Sequence, residues 1–153
     1  MDYENNCEKP KYNIKDNANL TQDPGTSTFV RLSPERFHKL TTGKKNPTRE
    51  ELEKLGADFH HEEDVKKAMC KGEPMDTMFL DYNQDKGKIT GHEGRMRAEA
   101  AKDVMRDRQN LPVKIYCKGD DPRKQKCEIS SGLDLMRKAE PQSNINEMER
   151  FNE

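Results

Sequence analysis

The sequence has no tryptophan, and only 30% of its 153 residues are hydrophobic. Ordinary globular chains carry close to half. That shortage excludes a core spread evenly along the chain and predicts a compact domain of roughly 90 residues with polar flanks. Net charge is nearly absent as well, since 28 basic and 29 acidic residues leave a formal −1. Without a global field, attraction of nucleic acid would need a local basic patch. No apolar run approaches the ~20 residues that span a bilayer. The N-terminal Met1-Asp2-Tyr3-Glu4-Asn5-Asn6 lacks the basic and apolar segments of a secretory signal. These absences predict a soluble chain that is neither membrane-bound nor secreted. Cys7, Cys70, Cys117 and Cys127 form no C-x-x-C pair, which removes zinc-finger spacing. They read as incidental thiols of a reduced, cytosolic-type chain. Whether Cys117 and Cys127 bridge is left open by their spacing.

What is present is local structure signal. Residues 1–28 are polar, show neither helical nor strand period, and read as an extended arm. Phe29-Val30-Arg31-Leu32 alternates as a short strand. Ser33-Pro34-Glu35 opens a helix with an N-cap, a proline at the first helical position and an acid in the first turn. Phe37 and Leu40 form its apolar side and Gly43 its stop. Thr48-Arg49-Glu50-Glu51 is spaced as a capping box for a second helix, ended by Gly56. His60-His61-Glu62-Glu63-Asp64 begins a third, with Val65, Ala68 and Met69 as its stripe. The histidine pair suggests a metal, but adjacent helical residues face different ways. An acid-rich first turn favoured by the helix dipole explains the cluster better.

Residues 75–82 alternate as a strand, Asn83-Gln84-Asp85-Lys86-Gly87 is a turn cluster, and Lys88-Ile89-Thr90 returns as the second strand of a hairpin. A helix is predicted from about Gly94 to Arg108, with Ala98, Ala101, Val104 and Met105 facing the core. Leu111 to Cys117 reads as the last strand. Beyond Lys118 the chain is a polar tail, residues 119–153. It holds one basic run, Arg123-Lys124-Gln125-Lys126, and a possible short helix around Leu133, Leu135 and Met136. Ile145, Met148 and Phe151 mark a candidate docking turn. No internal repeat is visible.

The most informative stretch is Gly91-His92-Glu93-Gly94-Arg95-Met96-Arg97-Ala98-Glu99-Ala100-Ala101. Glycines and charges lead straight into strong helix formers. Such a turn presents the unpaired first amides of a helix to an anion, and the helix dipole reinforces them. Arg95 and Arg97 add guanidinium forks suited to phosphate oxygens. Gly91, Gly94, Arg95 and Arg97 are therefore the candidate phosphate-binding residues. His92 and Glu93 are the candidate acid–base pair.

With its flanking strands, this stretch resembles the ParB/sulfiredoxin-like superfamily. There a strand leads into a G-x-[HR]-R-x-x-A-A type turn, a helix, and a strand opened by a small or proline-containing segment. Gly-His-Glu-Gly-Arg-x-Arg-Ala looks most like small ParB-like proteins encoded by bacteriophages. The similarity covers residues 29–118. It implies an α/β (α+β) fold, a small mixed sheet with packed helices, between extended polar arms at residues 1–28 and 119–153. Overlaid on the family's D-G-x-H-R turn, Arg97 takes the place of the phosphate-binding arginine. In sulfiredoxins the residue two before that arginine is the catalytic cysteine, and here it is Arg95. No thiolate stands there to reduce a sulfinic acid. The family's histidine is Met96, which cannot transfer a proton. Both departures favour binding over catalysis. ParB proteins proper need a second phosphate motif and a following helix-turn-helix domain, for which residues after Lys118 are too few.

The resemblance thus implies an accessory or virion-associated phage protein, in host cytoplasm or virion, with a degenerate phosphate turn and arms that dock on neighbouring subunits. The alternative is a nucleotide- or DNA-dependent enzyme, a nuclease or NTPase, with a nucleotide as the one cofactor the turn would suit. Glu93, Asp81 and Asp85 are imaginable metal ligands for it, but their spacing carries no metal signature. A third, purely structural reading remains. Gly91 and Gly94 then only permit a tight connection, and Glu93 only pairs with Arg97 four residues on.

Overall fold

The computed structural model describes residues 7, 8, 10–13, 27–104, 111–119 and 126–141. Among these the protein is α+β, with five helices, a four-stranded sheet and a two-stranded one. The elements are β1 (Lys11–Tyr12), β2 (Ser27–Leu32), α1 (Pro34–Thr42), α2 (Arg49–Lys54), α3 (Glu62–Cys70), β3 (Pro74–Met75), β4 (Met78–Asn83), β5 (Lys88–Glu93), α4 (Arg95–Val104), β6 (Leu111–Lys118) and α5 (Gly132–Lys138).

The helix boundaries follow from the capping chemistry. Ser33 Oγ accepts the Arg36 amide at 3.2 Å, Pro34 occupies the first helical turn, and Gly43 closes α1 at φ 80°. Thr48 and Glu51 complete a reciprocal capping box on α2. Neither histidine caps α3, because His61 at the N-cap makes no side-chain bond there, while Glu62, Glu63 and Asp64 load the first turn with negative charge. This is the charge placement that the helix dipole favours. For α4, Met105 and Arg108 lie outside the described residues.

The large sheet has the order β2-β6-β4-β5. β6 runs antiparallel to β2 and parallel to β4, and β4 runs antiparallel to β5. Parallel neighbours need a crossover, and the chain from β4 through β5 and α4 supplies it. The expected single strand over 75–82 is two elements. Pro74 and Met75 leave the large sheet to pair in parallel with Lys11 and Tyr12, so β4 begins only at Met78.

Phe37 and Leu40 of α1, Met69 of α3, and Ala98, Ala100, Ala101 and Val104 of α4 are buried with Val30, Leu32, Leu80, Val113 and Ile115 of the sheet. The alanines let α4 approach its neighbours closely. Ile129, Leu135 and Ala139 belong to the same cluster, so the core runs past residue 118.

The cysteine reading is overturned. Cys7 pairs with Cys70 and Cys117 with Cys127, at Cα–Cα distances of 4.4 and 5.2 Å, and no thiol is free. The first pair was invisible to spacing because 63 residues separate its members. It ties the described part of the arm to the end of α3, where Glu8 also donates its amide to the Cys70 carbonyl at 2.9 Å.

Candidate functional site

The strand-to-helix junction is tighter than its sequence suggested. β5 does not stop at Thr90. A bulge opposite Asp81 and Tyr82 absorbs one residue, after which Gly91, His92 and Glu93 pair with Asp81, Leu80 and Phe79. Gly91 is therefore a strand residue. A side chain there would meet Asp81 Oδ2 at 2.6 Å, so its missing Cβ makes room for a cross-strand carboxylate. Only Gly94 turns the chain, at φ 128°, a conformation that L side chains rarely adopt. A Cβ on Gly94 would lie 2.2 Å from Met78 Cγ. The space before the helix is thus filled by a methionine.

The two arginines do not gather on one point. Arg95 is 5% exposed and turns inward. Its Nη2 donates to the Thr41 carbonyl at 2.5 Å, its Nη1 to the Leu55 carbonyl at 3.1 Å and its Nε to Thr41 Oγ1 at 3.4 Å. It joins the end of α1 to the end of α2, and burial lowers its pKa to about 10. Arg97 points elsewhere. Its Nη1 donates to the Asp76 carbonyl at 2.6 Å, and its Nη2 forms an ion pair with Glu93. Burial lowers its pKa, with Asp76 and Tyr12 opposing. The expected pair of forks on one anion is replaced by two separate ties within the chain. The reason is helical period: residues two apart leave a helix in different directions.

The acid–base candidates are similarly placed. Glu93 is taken up by Arg97. His92 sits on the core side of β5, opposite Leu80, with Nδ1 buried and lacking a partner. Burial first, and then the nearby Arg95 charge, lower its pKa to about 4, so the ring is neutral near pH 7. Asp81 faces Lys118 at 3.4 Å. The exposed rings of His60 and His61 meet edge-on. Among the described residues no group of three or more His, Cys, Asp or Glu side chains could hold a metal ion.

Two buried polar clusters were missed. In the first, His38 is 0% exposed and its Nε2 meets Glu99 Oε1 at 2.8 Å, while Lys102 reaches the same oxygen at 2.8 Å. Burial would raise the Glu99 pKa, but the hydrogen bonds from His38 and Lys102 outweigh it and hold it at about 2. In the second, Lys66 meets Glu62 at 2.8 Å and Asp103 at 2.6 Å, and Arg49 reaches Glu62 at 2.7 Å. Burial opposes the Lys66 charge, yet its bonds to Asp103 and Glu62 raise its pKa. Glu62→Lys66 and Glu99→Lys102 spacing was legible as helical pairing. That these charges sit inside was not. Both clusters fasten helix to helix, α1 to α4 and α2 to α3 to α4. A search of protein-family models, curated proteins and solved structures finds nothing that matches this chain.

Proposed function

We propose that the protein is a non-enzymatic assembly module, an accessory or virion-associated protein of bacteriophage type. In this reading its ParB/sulfiredoxin-like domain keeps the shape of a phosphate turn and has lost its use. The observation that carries the reading is Arg95. In the resemblance it stands at the place of the sulfiredoxin catalytic cysteine, and its guanidinium is buried against Thr41 and Leu55. Arg97, at the phosphate arginine's place, is bound to Glu93 and the Asp76 carbonyl. The two disulfides add support for the virion over the host cytoplasm, since such bonds persist on particles outside reducing compartments. Partners are then other subunits of the particle. No helix among the described residues is long and apolar enough to cross a membrane.

A thermal-shift and hydrolysis screen with nucleoside triphosphates and with DNA tests this, comparing wild type with Arg97→Ala. The expected result is no turnover of any substrate and no shift with nucleoside triphosphates. Hydrolysis by wild type that Arg97→Ala abolishes would establish the enzymatic alternative instead.

A further inference from the structure

The two disulfides hold unlike segments. Cys117–Cys127 closes a separation of 10 residues at the end of β6. Past it the chain is fastened without help from sulfur. Gln84 Nε2 donates to the Lys126 carbonyl at 2.9 Å, Glu128 donates its amide to Gln84 Oε1 at 3.2 Å, and Ile129, Leu135 and Ala139 are buried in the core. Cys7–Cys70 instead holds a strap, made of Cys7, Glu8 and residues 10–13, that has less beneath it. Cys7 and Tyr12 are partly buried against the core, and Glu8 and Lys11 are exposed. The strap pairs with β3 over two residues. Glu8 donates its amide to the Cys70 carbonyl at 2.9 Å and Asn13 its amide to the Met75 carbonyl at 2.7 Å. Asn13 Nδ2 adds an exposed bond to Asp76 Oδ1 at 3.2 Å. So short a pairing returns little against the entropy of ordering the segment. The covalent bond makes up the difference by keeping the strap beside its partner at high effective concentration.

We infer that Cys7–Cys70 is a redox latch. Oxidised, it holds the strap on α3 and β3; reduced, the strap comes away while the four-stranded sheet stays folded. β1 takes no part in that sheet, whose strands pair with one another. The reductant is a dithiol. One of its thiolates attacks a latch sulfur, which breaks the S–S bond and forms a mixed disulfide. Its second sulfur then displaces the protein sulfur. Two electrons and two protons pass to the protein, leaving thiols at Cys7 and Cys70 and a disulfide on the reductant. The bond is within reach, since Cys7 is partly exposed and Cys70 is 9% exposed. Release uncovers Met75 and takes the Glu8 and Asn13 amides from the Cys70 and Met75 carbonyls. The strand edge so opened suits another extended chain. The latch works whatever the protein assembles with and uses none of the residues of the β5–α4 junction.

The test is amide hydrogen exchange, read residue by residue by NMR on the full chain. It compares oxidised wild type, wild type in excess dithiothreitol, Cys7→Ser/Cys70→Ser and Cys117→Ser/Cys127→Ser. In dithiothreitol and in the first variant the Glu8 and Asn13 amides should exchange at least about tenfold faster, while Leu80 and Ile115 keep their protection. The second variant should leave Glu8 and Asn13 as they are in oxidised wild type. Trypsin should cut after the exposed Lys11 faster in the first variant than in oxidised wild type, and wild type should recover its protection when dithiothreitol is replaced by an oxidised dithiol. Unchanged exchange at Glu8 and Asn13 in the first variant, protection lost at Leu80 and Ile115 in that variant, an equal release of the strap in the second variant, or failure of wild type to close again would each overturn the inference.

Discussion

Arg95 holds two helix ends together from within the central stretch. Its three donors satisfy the Thr41 carbonyl, the Leu55 carbonyl and Thr41 Oγ1 at the ends of two helices. Arg95→Met keeps the bulk and removes all three donors from those acceptors. The expected cost is about 2–4 kcal/mol in urea denaturation. Lysine should rescue only part of it, because one ammonium cannot span three acceptors in a fork. Arg97→Ala should cost less, about 1 kcal/mol, since Glu93 and Asp76 keep access to water. Two other residues contribute to the response to acid. An unfolded His92 takes up a proton below its ordinary 6.5, whereas the folded ring refuses one until about 4. The unfolded chain therefore binds more protons in that window, and stability falls as pH drops from 6.5 to 4. Glu99 acts lower down. Its folded pKa of about 2 lies under the ordinary 4.5, so its contribution is present above 4.5 and fades as pH falls towards 2. Unfolding free energies from denaturant titrations between neutral and about pH 4 should decline, by roughly 1–2 kcal/mol for the histidine. His92→Gln should remove the upper phase and leave the lower one.

At the scale of elements, the β5–α4 junction turns on one glycine, and its two glycines separate the possible reasons for having them. Gly94→Ala combines a left-handed φ of 128° with a Cβ 2.2 Å from Met78 Cγ. It should cost more than about 3 kcal/mol. Gly91→Ala meets only the end of the Asp81 side chain, which can swing, and should cost about 1 kcal/mol. Equal losses in thermal unfolding would show that both positions are turns, as the sequence alone suggested. Much of the remaining element structure was legible because it is written in local chemistry: Ser33-Pro34 and Gly43 around α1, Thr48 with Glu51 on α2, alternation along β4. Two features were not. The bulge that prolongs β5 depends on a partner strand, and the two-residue pairing of β1 with β3 is too short to leave a period. The direction of Arg95 was in the sequence but overlooked: it precedes Ala98 and Ala101 by three and six residues, on the stripe that faces the core. Charge made it look like a ligand residue, and position had already made it an interior one.

For the whole molecule, the sparse apolar content and the two disulfides belong together. A chain with 30% hydrophobic residues has limited core to hold it, and cross-links help by restricting the unfolded state. The two bonds are unequal in this respect. They span sequence separations of 63 and 10 residues, for which chain entropy gives about 4 and about 3 kcal/mol. The longer one also ties Cys7, a few residues before β1, to the end of α3. Thermal unfolding should therefore fall by about 10 °C in a Cys7→Ser/Cys70→Ser variant. The Cys117→Ser/Cys127→Ser variant should lose less. Reductant should destabilise wild type by more than either variant. Thiol titration of the freshly folded, unreduced protein checks the premise directly: no reactive thiol is expected before reduction. Four thiols in a folded, fully stable chain would return the cysteines to the incidental role that their spacing first implied, and would remove the support they lend to a life outside the reducing cytoplasm.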